Sequence, residues 1–600
     1  MTKFISKRNL QFLIKEVFET KTLTSYDYYS EHNEKMFDMV IDEALKLAVN
    51  LIYPVLDEMD KKPQELLNGE VKVHSVVKKI MKEFGQGGWI ASSLPKVHGG
   101  DQLPFIIKSV TSFIFAASNY SASTYPELTA GAAELITSFG SQALIETYVP
   151  KMLEGQWQGT MALTEPAAGS SLSDIITTAY KTDKGYFTIK GVKTFISAGD
   201  HDGVENIIHL MLARIEGAPA GAKGISLFVV PKKRVNGNGR LVPNDITTAS
   251  IYHKLGYRGT PAAELSLGEK EDCRGWLVGQ ENKGLSHMFQ MMNEARILVG
   301  LAACAIASAA YYAALDYTAN RRQGRPIGQK DPSLDQIPII EHADVKRMLL
   351  FQKSIVEGSL SLILQCCMYA DLMKVTDGDE KERYGLLLDL LTPIAKTFPS
   401  EFGILSTNTA IQCFGGYGYC EDFPVEQYMR DVRIHTIHEG TTGIQAMDLL
   451  GRKLVMKNGK AAFLFVDEVR QSINTALEIP ELGVFANQLA NAMKELEKVA
   501  GFLFAAFGEK GVDVYLSDAT LFLEFYSRIV ISWQWLIQGI ASQKALSGNC
   551  SKKEKNFYTG KMFTMNYFFR YELPKVYALA SQLMDKDNLT VEMNSEYFKD

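Results

Sequence analysis

The feature that most constrains this chain is a change of apolar period, from helical to alternating and back. Over residues 36–158 apolar side chains recur at helical spacing, as in Met36, Val40, Ala44, Leu47 and Leu51, interrupted by turn signals such as Leu94-Pro95 and Gly99-Gly100. Over 159–280 the pattern becomes short alternating runs, such as Tyr186-Phe187-Thr188-Ile189, separated by Gly, Asn and Pro. The helical period returns over 281–456, and a last helical region, rich in aromatics, fills 457–600. The fold class expected is mainly α with a central β domain. Its divisions are an N-terminal extension 1–35, a helical domain 36–158, a β domain 159–280, a helical bundle 281–456 and an additional C-terminal helical domain 457–600.

Composition serves mainly to exclude. The 600 residues suffice for several domains, and 63 basic against 69 acidic side chains leave a net charge of −6. No dense basic face for nucleic acid is expected from that balance. The 7 cysteines are an odd number without CxxC spacing, which fits a reducing cytoplasm better than an oxidising compartment. Lys3, Lys7 and Arg8 precede an apolar stretch broken by Lys15 and Glu16, which is not a secretory signal. The uncharged run 297–315 approaches the roughly twenty residues needed to cross a bilayer. It is alanine-rich and carries Gly300, Ser308, Tyr311 and Tyr312, so a helix buried among close neighbours is expected and no transmembrane segment.

Generic site signatures fail. Gly416-Tyr417-Gly418-Tyr419-Cys420-Glu421 lacks the third glycine of a dinucleotide fingerprint and follows a helical pattern rather than a strand. His435-Thr436-Ile437-His438-Glu439 matches no zinc motif, so no metal is expected. More specific is Met161-Ala162-Leu163-Thr164-Glu165-Pro166-Ala167-Ala168-Gly169-Ser170, a strand end and turn that presents hydroxyls and backbone N–H groups. In Lys193-Thr194-Phe195-Ile196-Ser197, strand alternation places Phe195 and Ser197 on one face. Glycines in Gln412-Cys413-Phe414-Gly415-Gly416 allow close approach of a bulky ligand. Finally, Glu439 stands in the Gly- and Thr-rich turn His438-Glu439-Gly440-Thr441-Thr442-Gly443 before a helix. It is either a helix-capping carboxylate or, if desolvated, a general base.

In order and spacing these segments resemble the acyl-CoA dehydrogenase family over about 36–453. The opening Arg8-Asn9-Leu10-Gln11-Phe12 and the extra helical region are similar to its long bacterial branch. The resemblance implies a helical domain, a β-barrel-like domain and a helical bundle, with FAD between the last two. It assigns Met161, Leu163, Thr164, Phe195 and Ser197 to the flavin, with Phe195 where the family usually has tryptophan. Gln412 and Gly416 would line the adenosine part across a subunit contact, and Thr441 would approach a flavin phosphate. Arg321, with Arg322 as the alternative, would meet the pyrophosphate.

Ser170, Arg296, His438 and Gly440 are implied around the acyl-CoA, with Glu439 as catalytic base. Some relatives carry the base just before the arginine matching Arg296, where this chain has Ala295. The implied reaction takes the α-proton of an acyl-CoA thioester and its β-hydride, giving a trans-2-enoyl-CoA as in fatty-acid β-oxidation. Electrons would pass to electron transfer flavoprotein, from a homodimer or dimer of dimers. Two departures stand out: His438 replaces a common tyrosine and brings a titratable ring beside the base, and Gly443 replaces a frequent flavin contact. An acyl-CoA oxidase would use the same base and flavin. A DNA-binding flavoprotein of this fold would need a basic C-terminal surface, which the balanced charges there do not provide.

Overall fold

Asn33 begins the first long helix: its side-chain carbonyl accepts the Met36 N–H at 3.1 Å, and helix α1 (Glu34–Leu47) then buries Phe37, Ile41 and Ala44 along one stripe. The computed structural model describes residues 4–329, 331–585 and 589–599, without the side chains of 289–292. It forms two compact units, residues 27–295 and residues 1–26 with 296–600.

In the first unit α1 is followed by α2 (Val76–Gln86), α3 (Phe105–Ser118), α4 (Tyr120–Phe139) and α5 (Gln142–Leu153). Every residue of α3 is buried. A ribbon of Glu65–Leu67 and Glu70–Lys72 interrupts the helices, turning on Asn68 and Gly69, both at positive φ. This two-residue Asn-Gly turn lies inside the segment expected to be helical, and its chemistry is that of a tight hairpin.

The β domain comprises β1 (Trp157–Ala162), β2 (Thr178–Lys181), β3 (Phe187–Ser197), β4 (Asn206–Ile215), β5 (Ile225–Pro231), β6 (Ile246–Ile251), β7 (Ala262–Leu267) and β8 (Arg274–Val278). Because β2 pairs with both β3 and β4, strands β3, β8, β5, β4 and β2 close into a ring. Strands β7 and β6 extend it beyond β3, and β1 pairs parallel to β4. Leu210 and Leu212 of β4 pack with Ala132, Ile136 and Leu144 of the helices, while Met211 and Ala213 pack with Phe228, Val230 and Leu265. Both faces of β4 are therefore covered, which is why it reads as a continuous apolar run rather than an alternation. Gly159 in β1 permits the approach of α4, since a Cβ there would lie 2.6 Å from the Ala132 methyl.

The second unit is built on α6 (Gly284–Asn320), whose residues from Arg296 onward belong to it, with α7 (Ala343–Val375) and α8 (Gly378–Phe414). The apolar windows of α6 and α7 are 78% and 89% buried within the protein, as expected for core helices. Small α9 (Val425–Val432) and α10 (Thr442–Asp448) follow, and then the C-terminal helices α11 (Lys460–Leu477), α12 (Gly483–Lys510), α13 (Ala519–Leu546), α14 (Lys552–Tyr567) and α15 (Lys575–Leu583).

These C-terminal helices are stitched into the bundle rather than standing apart. Trp535 donates its indole N–H to the Ser354 carbonyl at 3.0 Å, and Gly358 leaves room for that ring. Buried Lys561 donates to Glu357 at 2.9 Å, to Gln538 at 2.9 Å and to Asn9, while Arg8 pairs with Glu554 at 2.6 Å. Helices α6 and α8 cross closely at Gly300, where an added Cβ would lie 2.0 Å from the Ala395 carbonyl oxygen. Gly300→Ala must push these helices apart and is expected to cost about 1–3 kcal/mol, the usual range for overpacking. A thermal melt that matches the parent would contradict the crossing.

Candidate active site

The sequence-derived site residues fall into three groups. The first lies at one end of the barrel. Strand β1 delivers Met161 and then Leu163 and Thr164, all half-buried, while Ser170 further along the turn is exposed. Thr164 offers its carbonyl to the Thr194 N–H at 3.0 Å, which joins this segment to the end of β3. There the pairing with β7 slips between Ala263 and Leu265, so that Thr194 and Phe195 together face the span of Glu264. This is a β-bulge. Phe195 has φ 58° and is 60% exposed, stacked on Tyr252 at 4.2 Å. Phe195 is exposed and Ser197 half-buried on either side of buried Ile196, whereas upstream Lys193 and Thr194 are consecutively buried.

Sequence reasoning missed what holds this end in place. Lys193 is fully buried and donates to the Leu163 carbonyl at 3.0 Å and to Glu165 at 2.8 Å. Glu165 also accepts the Ile176 N–H at 2.7 Å and the Thr177 N–H at 3.1 Å. Burial alone would raise its carboxyl, but Lys193 and the Thr177 and Ile176 donors outweigh that and hold it below the usual range. A charged pair inside the motifs, Glu165 beside Thr164 and Lys193 beside Thr194, was the available signal.

The second group surrounds Glu439. This residue has φ 52° and precedes Gly440 at φ 85°, a left-handed turn that a glutamate rarely adopts unaided. Two buried side chains fix it: Gln445 donates to the Glu439 carbonyl at 2.9 Å, and Lys396 of α8 donates to the Gly440 carbonyl at 2.8 Å. Thr441 caps α10 by accepting the Ile444 N–H at 3.3 Å. Arg296 of α6 is 6% exposed and pairs with Asp448 of α10 at 2.8 Å.

Desolvation raises the Glu439 carboxyl above its ordinary value, with Arg296 and Lys396 pulling it back. Burial pushes the Lys396 ammonium down to about 8 against the opposing pull of Glu439 and Glu401. The expectation of a titrating His438 beside the base is corrected. Its ring meets His435 edge-on at 5.1 Å, and burial, with His435 and Lys396 adding to it, drives it well below the ordinary histidine range. The surroundings of His438 therefore favour its neutral ring. Lys396 and Gln445 were not found from the sequence, although a lysine inside the largely apolar run from Leu386 to Phe398 was a usable signal for the first of them.

The third group sits at another end of the bundle. Phe414 at the end of α8 stacks on Tyr317 near the end of α6 at 4.1 Å, which brings exposed Gln412 and Gly416 to the level of Arg321. Arg322 spends its guanidinium on the Gln336 carbonyl at 2.6 Å, whereas exposed Arg321 meets the Gln323 side chain at 3.2 Å. From Arg296 to the end of α6 the helix rises about 36 Å at 1.5 Å per residue, so this group and the Glu439 turn do not form one cluster.

A helical domain, a closed barrel carrying an exposed aromatic plate, and a bundle holding a desolvated carboxylate beside buried cations define the architecture of an acyl-CoA-oxidising flavoprotein family. Family models match in that order: "Acyl-CoA dehydrogenase, N-terminal domain" at 36–156, the middle domain at 160–269, the C-terminal domain at 282–454, and "Acetyl-CoA dehydrogenase C-terminal like" at 465–594. The chain belongs to the acyl-CoA dehydrogenase family, and it is an oxidoreductase of that family.

It is 34% identical over 590 residues, 98% of each chain, to 3-methylmercaptopropionyl-CoA dehydrogenase of Ruegeria pomeroyi. It is 32% identical to a butyryl-CoA dehydrogenase of Syntrophomonas wolfei, again over 98% of each chain. Among solved structures, the FAD complex of an acyl-CoA dehydrogenase from Bacillus anthracis shares the fold, with TM-score 0.73 at 20% identity over 98% of this chain and 93% of that one.

Lys193→Met would strand the Glu165 charge in the barrel and is expected to cost about 3–5 kcal/mol, measured by urea unfolding. The contribution of Glu165 is present above the usual carboxylate range and fades as pH falls through its lowered value. Acidification should therefore weaken the parent more than the variant, and parallel pH profiles would argue against the pair.

Proposed function

We propose that the protein is an FAD-dependent acyl-CoA dehydrogenase that converts an acyl-CoA thioester to its trans-2-enoyl-CoA, with Glu439 as the base that takes the α-proton. The observation that carries this reading is the geometry of half-buried Glu439, held in a left-handed turn by two buried donors, with burial raising its carboxyl against the pull of Arg296 and Lys396. A carboxylate of ordinary basicity is a poor match for a thioester α-proton, and desolvation moves it in the useful direction. The Glu439 N–H makes no hydrogen bond among the described residues. It is assigned to the thioester carbonyl oxygen, where one such donor contributes about 3 kcal/mol as charge develops.

The residues present suit a flavin. Phe195 offers an exposed aromatic face, and the Thr164 and Ser197 hydroxyls have no protein partner among the described residues. In the barrel unit Met161 and Leu163 are assigned to the flavin and Ser170 to the acyl-CoA; in the bundle unit Thr441 is assigned to a flavin phosphate and Arg296, His438 and Gly440 to the acyl-CoA. When bound, FAD supplies the hydride acceptor, and electron transfer flavoprotein is proposed as the next carrier. The roughly 36 Å along α6 supports assigning Arg321, Gln412 and Gly416 to the flavin of a second copy of the chain, hence a homodimer or dimer of dimers. Arg321 is preferred because Arg322 is already engaged.

Glu439→Gln should bind FAD normally yet lose acyl-CoA-driven flavin bleaching by about 100- to 10,000-fold. Bleaching at the parental rate would remove the mechanism. In the parent, the base must be ionised, so log kcat/KM should fall with decreasing pH through a limb centred above the ordinary glutamate value of about 4.3. A limb at or below that value would contradict the desolvated carboxylate.

A further inference from the structure

The cations near Glu439 differ in how they are engaged. Arg296 is bonded directly to a carboxylate, Asp448 at 2.8 Å, which it shares with Arg452 at 2.6 Å. Lys396, fully buried in the middle of α8, has no carboxylate within ion-pair distance among the described residues. Among the described residues its ammonium makes one hydrogen bond, to the Gly440 carbonyl, the peptide immediately after the base. A buried ammonium without a bonded counter-charge is costly, and such a group persists when a nearby anion offsets it.

We propose that Lys396 is a positioning residue for the reaction, acting as the buried counter-ion of Glu439 while its bond to the Gly440 carbonyl aims the Glu439-Gly440 turn. The inference deepens the reading of Glu439 as base and rests on it. The placement separates two effects that a direct ion pair would merge. A lysine hydrogen-bonded to the carboxylate would occupy the lone pair that receives the proton. One bonded to the next peptide leaves the carboxylate oxygens open while its field still favours ionisation.

The surroundings single out this residue. From α6 the facing charge is Arg296, tied to Asp448 of α10. From α8, besides Lys396, there is Glu401, which accepts the Thr442 hydroxyl. The segment preceding the turn contributes His435 and His438, both kept neutral by burial, and Arg433, whose guanidinium donates to the Thr436 hydroxyl. From α13, packed against α10, Arg528 is committed to Glu524 at 2.7 Å and Glu572 at 2.6 Å. Burial pushes Lys396 down to about 8, which leaves it charged across the acid limb.

The test uses flavin bleaching by acyl-CoA across pH in the full-length holoenzyme, for Lys396→Gln, Lys396→Met and Lys396→Arg. The glutamine can keep the bond to Gly440 but not the charge. Lys396→Gln and Lys396→Met are expected to shift the acid limb of kcat/KM upward by about one pH unit or more, the usual effect of losing an adjacent opposite charge. Lys396→Arg should leave the limb near its parental position. If Lys396→Met does not fold, Lys396→Gln alone decides. A rate lowered equally at every pH, or an unmoved limb, overturns the counter-ion role. Glu439→Gln run in parallel keeps the two ideas separable: if it still bleaches, the base assignment falls, whereas an inactive Glu439→Gln with an unshifted Lys396→Gln profile overturns only this inference.

Discussion

The crossing of α6 and α8 at Gly300 is the contact on which the candidate site depends. With no side chain at that point, the Ala395 backbone reaches the glycine, and the next residue along α8 is Lys396. About one turn earlier on α6 stands Arg296. Two cations from separate helices thereby lie near one short turn, Lys396 bonded to it and Arg296 to Asp448 on the helix that follows. The geometry of the Glu439 carboxylate is thus decided by packing some distance away in sequence.

The turn itself shows how strain and burial cooperate. A left-handed conformation at a non-glycine residue costs on the order of 1–3 kcal/mol and persists only when its surroundings over-determine it. Here Gln445 and Lys396 bind the two successive carbonyls of residues 439 and 440. Each is fully buried, so neither bond competes with water. The same logic holds at the barrel, where the bulge at Thr194 and Phe195 turns one ring outward while Lys193 is driven inward onto Glu165. In both places an irregular backbone is fixed by a buried lysine.

Much of the architecture was legible from apolar period alone, because the β domain and the long helices differ in repeat over many residues. The 65–72 ribbon was not, since its strands are too short for alternation to register, although Asn68-Gly69 carried the turn signal. Glu439 could be singled out because its neighbours form a compact local motif. Lys396 could not, since its role depends on which helix faces the turn. His438 was visible by position but its charge state was not, for burial against His435 is a tertiary fact. Alternation placed Phe195 and Ser197 together, yet the bulge that sets the exposure of Phe195 requires counting residues on the partner strand.

The network around Lys561 bears on how a chain of this length can be shortened. Glu357 sits in the core of α7, and the cations that neutralise it come from its own helix, through Lys353, and from α14, while Asn9 and Gln538 complete the shell. Asn9, near the start of the sequence, and Glu357 of α7 are therefore joined through the Lys561 ammonium of α14. Removing the C-terminal helices would not trim an appendage: it would take away Lys561 and leave Glu357 with Lys353 as its remaining cation among the described residues.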